Sequence, residues 1–178
     1  MTAPAVWILA GLRTPFARAG TALRGLDAVE LGRLALDGLL ARHDLDPASM
    51  DEVILGNCAQ PADAANVARV CALRAGLPER VPAVTVNRNC GSGLEAVIVA
   101  AERIRAARAR RIVAGGTESM SQAPLLFPAA YAEWLEGLAR ARGPWRRTAA
   151  ALRFRPAMLK PRFALREALR DPVSGLTM

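Results

Sequence analysis

Histidine, lysine and aromatic side chains are nearly missing from this chain of 178 residues, which has one histidine, His43, one lysine, Lys160, and only 4% Phe, Trp and Tyr. With so few aromatics, a core must be assembled mainly from Ala, Val and Leu. The three cysteines, Cys58, Cys71 and Cys90, cannot all pair with one another, and their spacings match no zinc-ligand or Cys-x-x-Cys pattern. Free thiols in a reducing compartment are the simplest expectation. No basic residue precedes the apolar opening Ala3 to Leu12, and that run is too short to cross a bilayer. No secretory signal and no transmembrane segment are therefore expected, and the expected location is the cytoplasm.

Apolar residues, by contrast, make up 52% of the chain and charged residues 22%, which excludes a disordered polyelectrolyte and allows an ordinary folded core. The net charge of +8 is unevenly spread. Residues 1–139 hold 14 basic and 14 acidic side chains, so the excess lies in residues 140–178, with ten basic groups against Glu167 and Asp171. Such a stretch either binds phosphate, anionic lipid or nucleic acid, or is a solvated face. No nucleic-acid-binding motif accompanies it, so no nucleic-acid partner is expected.

Patterning predicts strands alternating with helices over the first two-thirds of the chain. Trp7, Ile8 and Leu9 read as a first buried strand. Asp27 and Glu30 have N-cap and N3 spacing, a capping-box pattern ahead of a helix with apolar positions Leu31, Leu34, Ala35 and Leu39. Val53 to Leu55 is a second strand, and Ala64 to Ala75 a helix stopped by Gly76 and Pro78. Val81 to Thr85 is a third, buried strand, followed by a helix with Leu94, Val97, Ile98, Ala101 and Ile104 at helical spacing, and Ile112 to Ala114 is the fourth strand. This order predicts an α/β fold: a mostly parallel sheet with helices on both faces and ligands gathered at the carboxyl ends of the strands. After Ser121 the character changes. Pro124, Pro128, Pro144, Pro156, Pro161 and Pro172 interrupt the chain, with a helix expected over Tyr131 to Arg142. A domain boundary is placed there, giving 1–122 as a core domain and 123–178 as a second, basic piece.

Cys90 lies in Val86-Asn87-Arg88-Asn89-Cys90-Gly91-Ser92-Gly93-Leu94-Glu95-Ala96, in the turn between the third strand and its helix. Unpaired backbone N–H groups and the positive dipole end at a helix start favour a thiolate, the form that attacks a carbonyl. Position alone leaves two readings open: a nucleophile, or a packing cysteine.

The same run resembles the active-site signature of the thiolases. Arg13-Thr14-Pro15-Phe16, Asn66-Val67-Ala68-Arg69 with Ala75-Gly76-Leu77-Pro78, and Gly115-Gly116-Thr117-Glu118-Ser119-Met120-Ser121 are similar to thiolase strings in the same order. A looser resemblance to the loop domain of thiolases from fatty-acid oxidation complexes covers Leu125-Leu126-Phe127-Pro128, Leu165-Arg166-Glu167 and Asp171-Pro172. The resemblance implies half of the duplicated thiolase fold with the start of a loop domain, and Cys90 as the acyl-accepting nucleophile of an acyltransferase. Thiolases cleave 3-ketoacyl-CoA with free CoA, or run backward to condense two acyl-CoA molecules. Acyl-CoA and CoA are thus the implied small-molecule partners, with no metal or redox cofactor. A homo-oligomer or a thiolase-type partner chain is implied as well. For Gly115 to Ser121 the implied role is structural support near the active site and dimer contact.

A helix start alone would add little to such chemistry. Lowering a thiol pKa from about 8.5 to about 7 raises the thiolate fraction at neutral pH roughly 16-fold. Reduced nucleophilicity removes roughly fivefold of that. The remaining gain of about threefold is small beside the roughly 100- to 1,000-fold attached to one oxyanion-hole donor. The resemblance implies that an activating histidine in Gly-His-Pro, an acid/base cysteine in Cys-x-Gly and an Asn-Glu-Ala-Phe stretch supply the rest. None of these strings occurs in the 178 residues. His43 reads as a helix-end residue, and Cys58 and Cys71 as packing residues. The chain is accordingly read as an amino-terminal part of a thiolase: a fragment, a truncated product or one piece of a split enzyme. The alternatives kept open are a ketoacyl synthase relative and a non-catalytic half-domain that binds a thiolase subunit.

Overall fold

The computed structural model describes residues 5–164, 169–171 and 173–177. Two of the strings above, Leu165-Arg166-Glu167 and Pro172, lie outside the described residues. The chain divides into two compact units, Met1–Ala123 and Pro124–Met178.

The first unit is built on three parallel strands, β1 (Glu52–Gly56), β2 (Ala83–Val86) and β3 (Ile112–Gly116), in the order β2-β1-β3. The central strand is buried along its whole length. Its side chains alternate between two cores, as a strand covered on both faces requires. Val53 and Leu55 join a cluster with Val29, Leu36 and Leu40 of α1 (Ala28–Arg42) and Val67, Ala68, Cys71 and Ala72 of α2 (Val67–Arg74). Ile54 points the other way, to Ala96 and Ala100 of α3 (Ser92–Arg105). Helices thus cover both faces, as the alternating order predicts.

Local chemistry sets the element ends. Asp27 caps α1, its Oδ1 accepting the Glu30 N–H at 2.6 Å, while the Glu30 carboxylate pairs with Arg33 at 2.6 Å. Asn66 caps α2, whose first residue, Val67, lies three positions after the predicted start, and accepts the Arg69 N–H at 3.1 Å. Gly76, at φ +80°, ends that helix in the left-handed region that glycine enters without strain.

Four readings of the pattern are corrected. Trp7 to Leu9 form no strand: Trp7 is 78% and Leu9 90% exposed, and a strand needs a neighbour to take up its backbone groups, which these residues lack among those described. The buried stripe of α1 is Ala28, Val29, Gly32, Leu36 and Leu40; of the apolar positions Leu31, Leu34, Ala35 and Leu39, Leu39 packs against that core, partly buried. Gly32 fixes that face, because a Cβ there would lie 2.6 Å from Cys71 Sγ; the helix meets α2 where it is thinnest. In α3 the sheet-facing residues are the small ones, Ser92, Ala96 and Ala100, whereas Leu94 is 68% exposed and Ile98 is exposed too. The third strand, β2, is half-buried.

The second unit holds α4 (Ala129–Arg140), α5 (Pro144–Ala151) and a two-stranded antiparallel ladder of β4 (Leu125–Leu126) and β5 (Arg162–Phe163). Phe127, Tyr131, Trp134 and Phe154 form a chain of ring contacts 5.1–5.9 Å apart, and Trp134 Nε1 donates to Ala150 O at 3.0 Å. These bonds tie α4 to α5 in place of a large aliphatic core.

Candidate active site at the strand ends

All three parallel strands end at the same edge, and the segments that follow them meet there. After β1 come Asn57, Cys58 and Ala59; after β2, Asn87 to Gly91; after β3, Thr117 to Ser119. The ladder continues one step past its last pair, with Asn57 N–H donating to Val86 O at 3.1 Å.

The turn that carries Cys90 is fixed by its own polar side chains. Asn87 Oδ1 accepts the Asn89 N–H at 2.9 Å, and Asn87 Nδ2 reaches Cys58 O at 3.4 Å. Asn89 has φ +49°, a left-handed conformation that Asn tolerates better than most residues. Ser92 is buried; its Oγ donates to Asn89 O at 2.6 Å and accepts the Arg88 N–H at 2.8 Å, closing the turn onto the first residue of α3. Arg88 and Glu95 form an ion pair across it. Gly91 is the N-cap and supplies no side-chain bond to the helix start. Cys90 is thus held, exposed and free, at the head of a helix of 14 residues.

Glycine brings that helix head down onto the sheet. A Cβ on Gly56 would lie 2.2 Å from Ser92 C and 2.6 Å from Gly93 N, and one on Gly116 would lie 3.0 Å from Gly93 Cα. Gly56 and Gly116 end neighbouring strands, so α3 starts directly above both strand termini.

Glu118 organises the opposite side. Its Oε2 accepts the N–H of Cys58 at 2.8 Å and of Ala59 at 3.1 Å, and its Oε1 accepts from Asn57 Nδ2 at 3.3 Å. Asn57 Nδ2 also donates to Thr117 O at 2.9 Å. Asn57 Oδ1, in turn, is the one buried side-chain oxygen or nitrogen without a partner among the described residues. An orphan acceptor of this kind typically costs about 1–3 kcal/mol. Thr117 Oγ1 donates to Ala28 O at 2.6 Å and Ser119 Oγ to Leu26 O at 2.7 Å, so the Gly115 to Ser121 string buttresses the first unit, as expected of a structural support.

The other sequence candidates separate. Cys71 is fully buried, its Sγ donating to Val29 O at 3.3 Å, and burial above all, with the Asp27 charge, pushes its thiol up to about 11. It is the packing cysteine that its position suggested. Cys58 is not. It is exposed, two residues beyond the end of β1, and its thiol is pushed up by partial burial first, then by the charges of Glu118 and Cys90. The signal was available: the rule that placed Cys90 at the carboxyl edge of a parallel sheet applies equally to a residue just past β1. His43 is the exposed C-cap of α1, its backbone N–H donating to Leu39 O at 3.3 Å. A surface depression lined by Gly11, Leu12, Arg13, Pro15 and Arg42 includes none of the strand-end residues. Among the described residues, no group of three or more His, Cys, Asp or Glu is placed to hold a metal ion. No helix among them is long and apolar enough to cross a membrane.

These environments rank the thiols. With limiting iodoacetamide near neutral pH, Cys90 should be alkylated first and Cys58 more slowly, with Cys71 unmodified until the chain unfolds. Equal labelling of all three in the folded chain would remove the distinction between Cys90 and a packing cysteine.

Comparison with known proteins gives a consistent picture. The family model described as "Thiolase, N-terminal domain" matches residues 6–143. Acetyl-CoA acetyltransferase of Schizosaccharomyces pombe is 43% identical over 123 residues, which is 69% of this chain and 31% of that protein. Steroid 3-ketoacyl-CoA thiolase FadA6 of Mycobacterium tuberculosis is 46% identical over 121 residues, covering 67% of this chain and 30% of that protein. Among solved structures, Acat5 thiolase from Ascaris suum in complex with coenzyme A superposes with a TM-score of 0.73 at 28% identity, over 93% of this chain and 38% of that one. The acetyl-CoA acetyltransferase of Bacillus anthracis gives 0.70 at 33% identity, over 90% and 36%. The chain spans about a third of the length of the curated relatives it matches.

Proposed function

The chain belongs to the thiolase family, and from that membership we propose that Cys90 is the nucleophile that takes up an acyl group from a coenzyme A thioester. The observation that carries this reading is an exposed thiol at the head of α3, above the carboxyl ends of three parallel strands. Relatives named acetyl-CoA acetyltransferase and 3-ketoacyl-CoA thiolase support the substrate class, as does the Ascaris structure with coenzyme A.

In the proposed reaction the Cys90 sulfur attacks the thioester carbonyl of an acyl-CoA, or the C3 keto carbon of a 3-ketoacyl-CoA. For a 3-ketoacyl-CoA the C2–C3 bond then breaks, acetyl-CoA leaves as an enolate that must be protonated, and the shortened acyl group stays on sulfur as a thioester. A CoA thiol next attacks that thioester and frees Cys90. The Cys90 backbone N–H is one donor to the developing oxyanion in this proposal, since those of Gly91 and Ser92 already donate to Arg88 O and Asn89 O. No metal or redox cofactor has a part in this proposal; nucleophilic catalysis supplies the covalent step.

Further partners and location belong to the same proposal. Exposed Leu94 and Ile98 on α3, with the outer edge of β3 unpaired among the described residues, support a second copy or a thiolase-type chain as a partner. Three free thiols support the cytoplasm.

The test is acyl transfer without turnover. Incubating the chain with acetyl-CoA and mapping the product by mass spectrometry should place one acetyl group on the peptide containing Cys90, sensitive to hydroxylamine. Cys90→Ser should lose that labile thioester. Labelling confined to Cys58, or spread over surface side chains, would sink the assignment.

A further inference from the structure

The strand-end cluster has a second thiol that acyl transfer does not use. We propose that Cys58 and Cys90 form a redox pair, in which a peroxide oxidises Cys90 and Cys58 closes an internal disulfide that caps it. The inference does not depend on Cys90 being an acyl carrier; it depends only on the two thiols being neighbours and exposed.

Geometry supports the pairing in three ways. β1 and β2 are hydrogen-bonded neighbours with Gly56 opposite Val86, so the segments after them leave the sheet side by side. Asn87, in the Cys90 turn, reaches the carbonyl of Cys58 at 3.4 Å. Both sulfurs belong to exposed residues, whereas Cys71 is enclosed in the opposite core. The Cys90 charge also contributes to the upward push on the Cys58 thiol, as close neighbours require. That push leaves Cys58 the weaker attacking group and suits it to the second step.

The chemistry balances with one peroxide. The Cys90 sulfur, as thiolate, attacks a peroxide oxygen; the O–O bond breaks, and Cys90 becomes a sulfenic acid as hydroxide, or an alkoxide from an organic peroxide, departs. The Cys58 sulfur then attacks the Cys90 sulfur. The S–S bond forms, the S–O bond breaks, and the hydroxyl leaves as water with the Cys58 proton. Two thiols together lose two electrons, and the peroxide is reduced. A thiol reductant reverses the bond, which protects Cys90 from irreversible oxidation to sulfinic acid.

Trypsin separates the three cysteines into different peptides, residues 43–69, 70–74 and 89–103, so the product can be read directly. The 178-residue chain is treated with limiting hydrogen peroxide, blocked with iodoacetamide and digested without reductant. The expected product joins 43–69 to 89–103 within a monomer, lacks two hydrogens relative to the separate peptides, and disappears with dithiothreitol. In Cys58→Ser given a second equivalent of peroxide, Cys90 should instead advance to sulfinic acid and lose its reversibility. Cys58→Ala, which leaves no hydroxyl, should do the same and guards against a local effect of serine. The pairing is overturned if peroxide drives Cys90 to sulfinic acid in the unaltered chain while Cys58 stays alkylatable. It is equally overturned if the two peptides are joined only in dimers. Failure of the reduced chain to accept an acetyl group, in a preparation whose peroxide treatment still gives this disulfide, would count against the acyl-carrier reading alone.

Discussion

Gly56→Ala should be the most damaging single-methyl change in the first unit. Its Cβ would meet backbone atoms of Ser92 and Gly93 at 2.2–2.6 Å, and no side-chain rotation can relieve a clash with backbone. Either α3 lifts from the sheet or β1 shifts in its ladders; overpacking of this kind costs about 3 kcal/mol. Gly116→Ala should be milder, since its closest contact is 3.0 Å to Gly93 Cα. Gly93→Ala should be neutral or stabilising by up to about 1 kcal/mol, because its Cβ would find nothing nearer than 3.8 Å and alanine favours a helix. Urea unfolding of the three variants should give that order. A Gly56→Ala variant within about 0.5 kcal/mol of the parent, the scale of an ordinary surface substitution, would show that α3 does not rest on β1 as described. The same variant should also lose acetylation of Cys90, since lifting α3 moves the head of the helix that holds the thiol.

The second large effect is an absence of turnover. The 178-residue chain assayed alone should give no measurable thiolysis of acetoacetyl-CoA or a longer 3-ketoacyl-CoA, even where Cys90 accepts an acetyl group. Thioester exchange needs a thiolate and a bound thioester, but carbon–carbon cleavage also needs a proton donor for the enolate and activation of the incoming CoA thiol. His43, the one histidine, is the C-cap of α1, on a different element from the Cys90 turn. Glu118 already accepts backbone N–H groups from Cys58 and Ala59. Robust turnover abolished by Cys90→Ala would overturn the expectation and mean that another group in the chain acts as the base. The light-scattering mass of the same sample reads the partner proposal: a monodisperse monomer would remove the argument from Leu94, Ile98 and the β3 edge.

Much of this molecule was legible in local chemistry. Asp27 at N-cap spacing, Gly76 after a helical run, and short apolar runs between turn residues each act over a few residues, so the sequence states them directly. The Asn87 to Ser92 turn is equally local: each of its hydrogen bonds lies within a few residues, apart from the reach of Asn87 to Cys58. Family resemblance then singled out Cys90, which spacing alone could not separate from a packing cysteine.

What the sequence did not decide was which face of each element is buried and which strand-end segments meet. Leu94 and Ile98 have the hydropathy of core residues, yet the face of α3 that touches the sheet is the one with Ala96 and Ala100, because Gly56 and Gly116 let the helix approach closely there. Trp7 to Leu9 have the composition of a strand and form none, because a strand exists only with a neighbour to share its hydrogen bonds. Cys58 lies 32 positions from Cys90 in the chain, and only the parallel pairing of β1 with β2 makes them neighbours. Local chemistry was enough for the caps, the Cys90 turn and the types of the elements from α1 to β3, since those depend on contacts within a few residues. The buried faces, the role of Glu118 and the nearness of the segments that carry Cys58 and Cys90 came from tertiary structure, since those depend on distances between segments that only folding brings together.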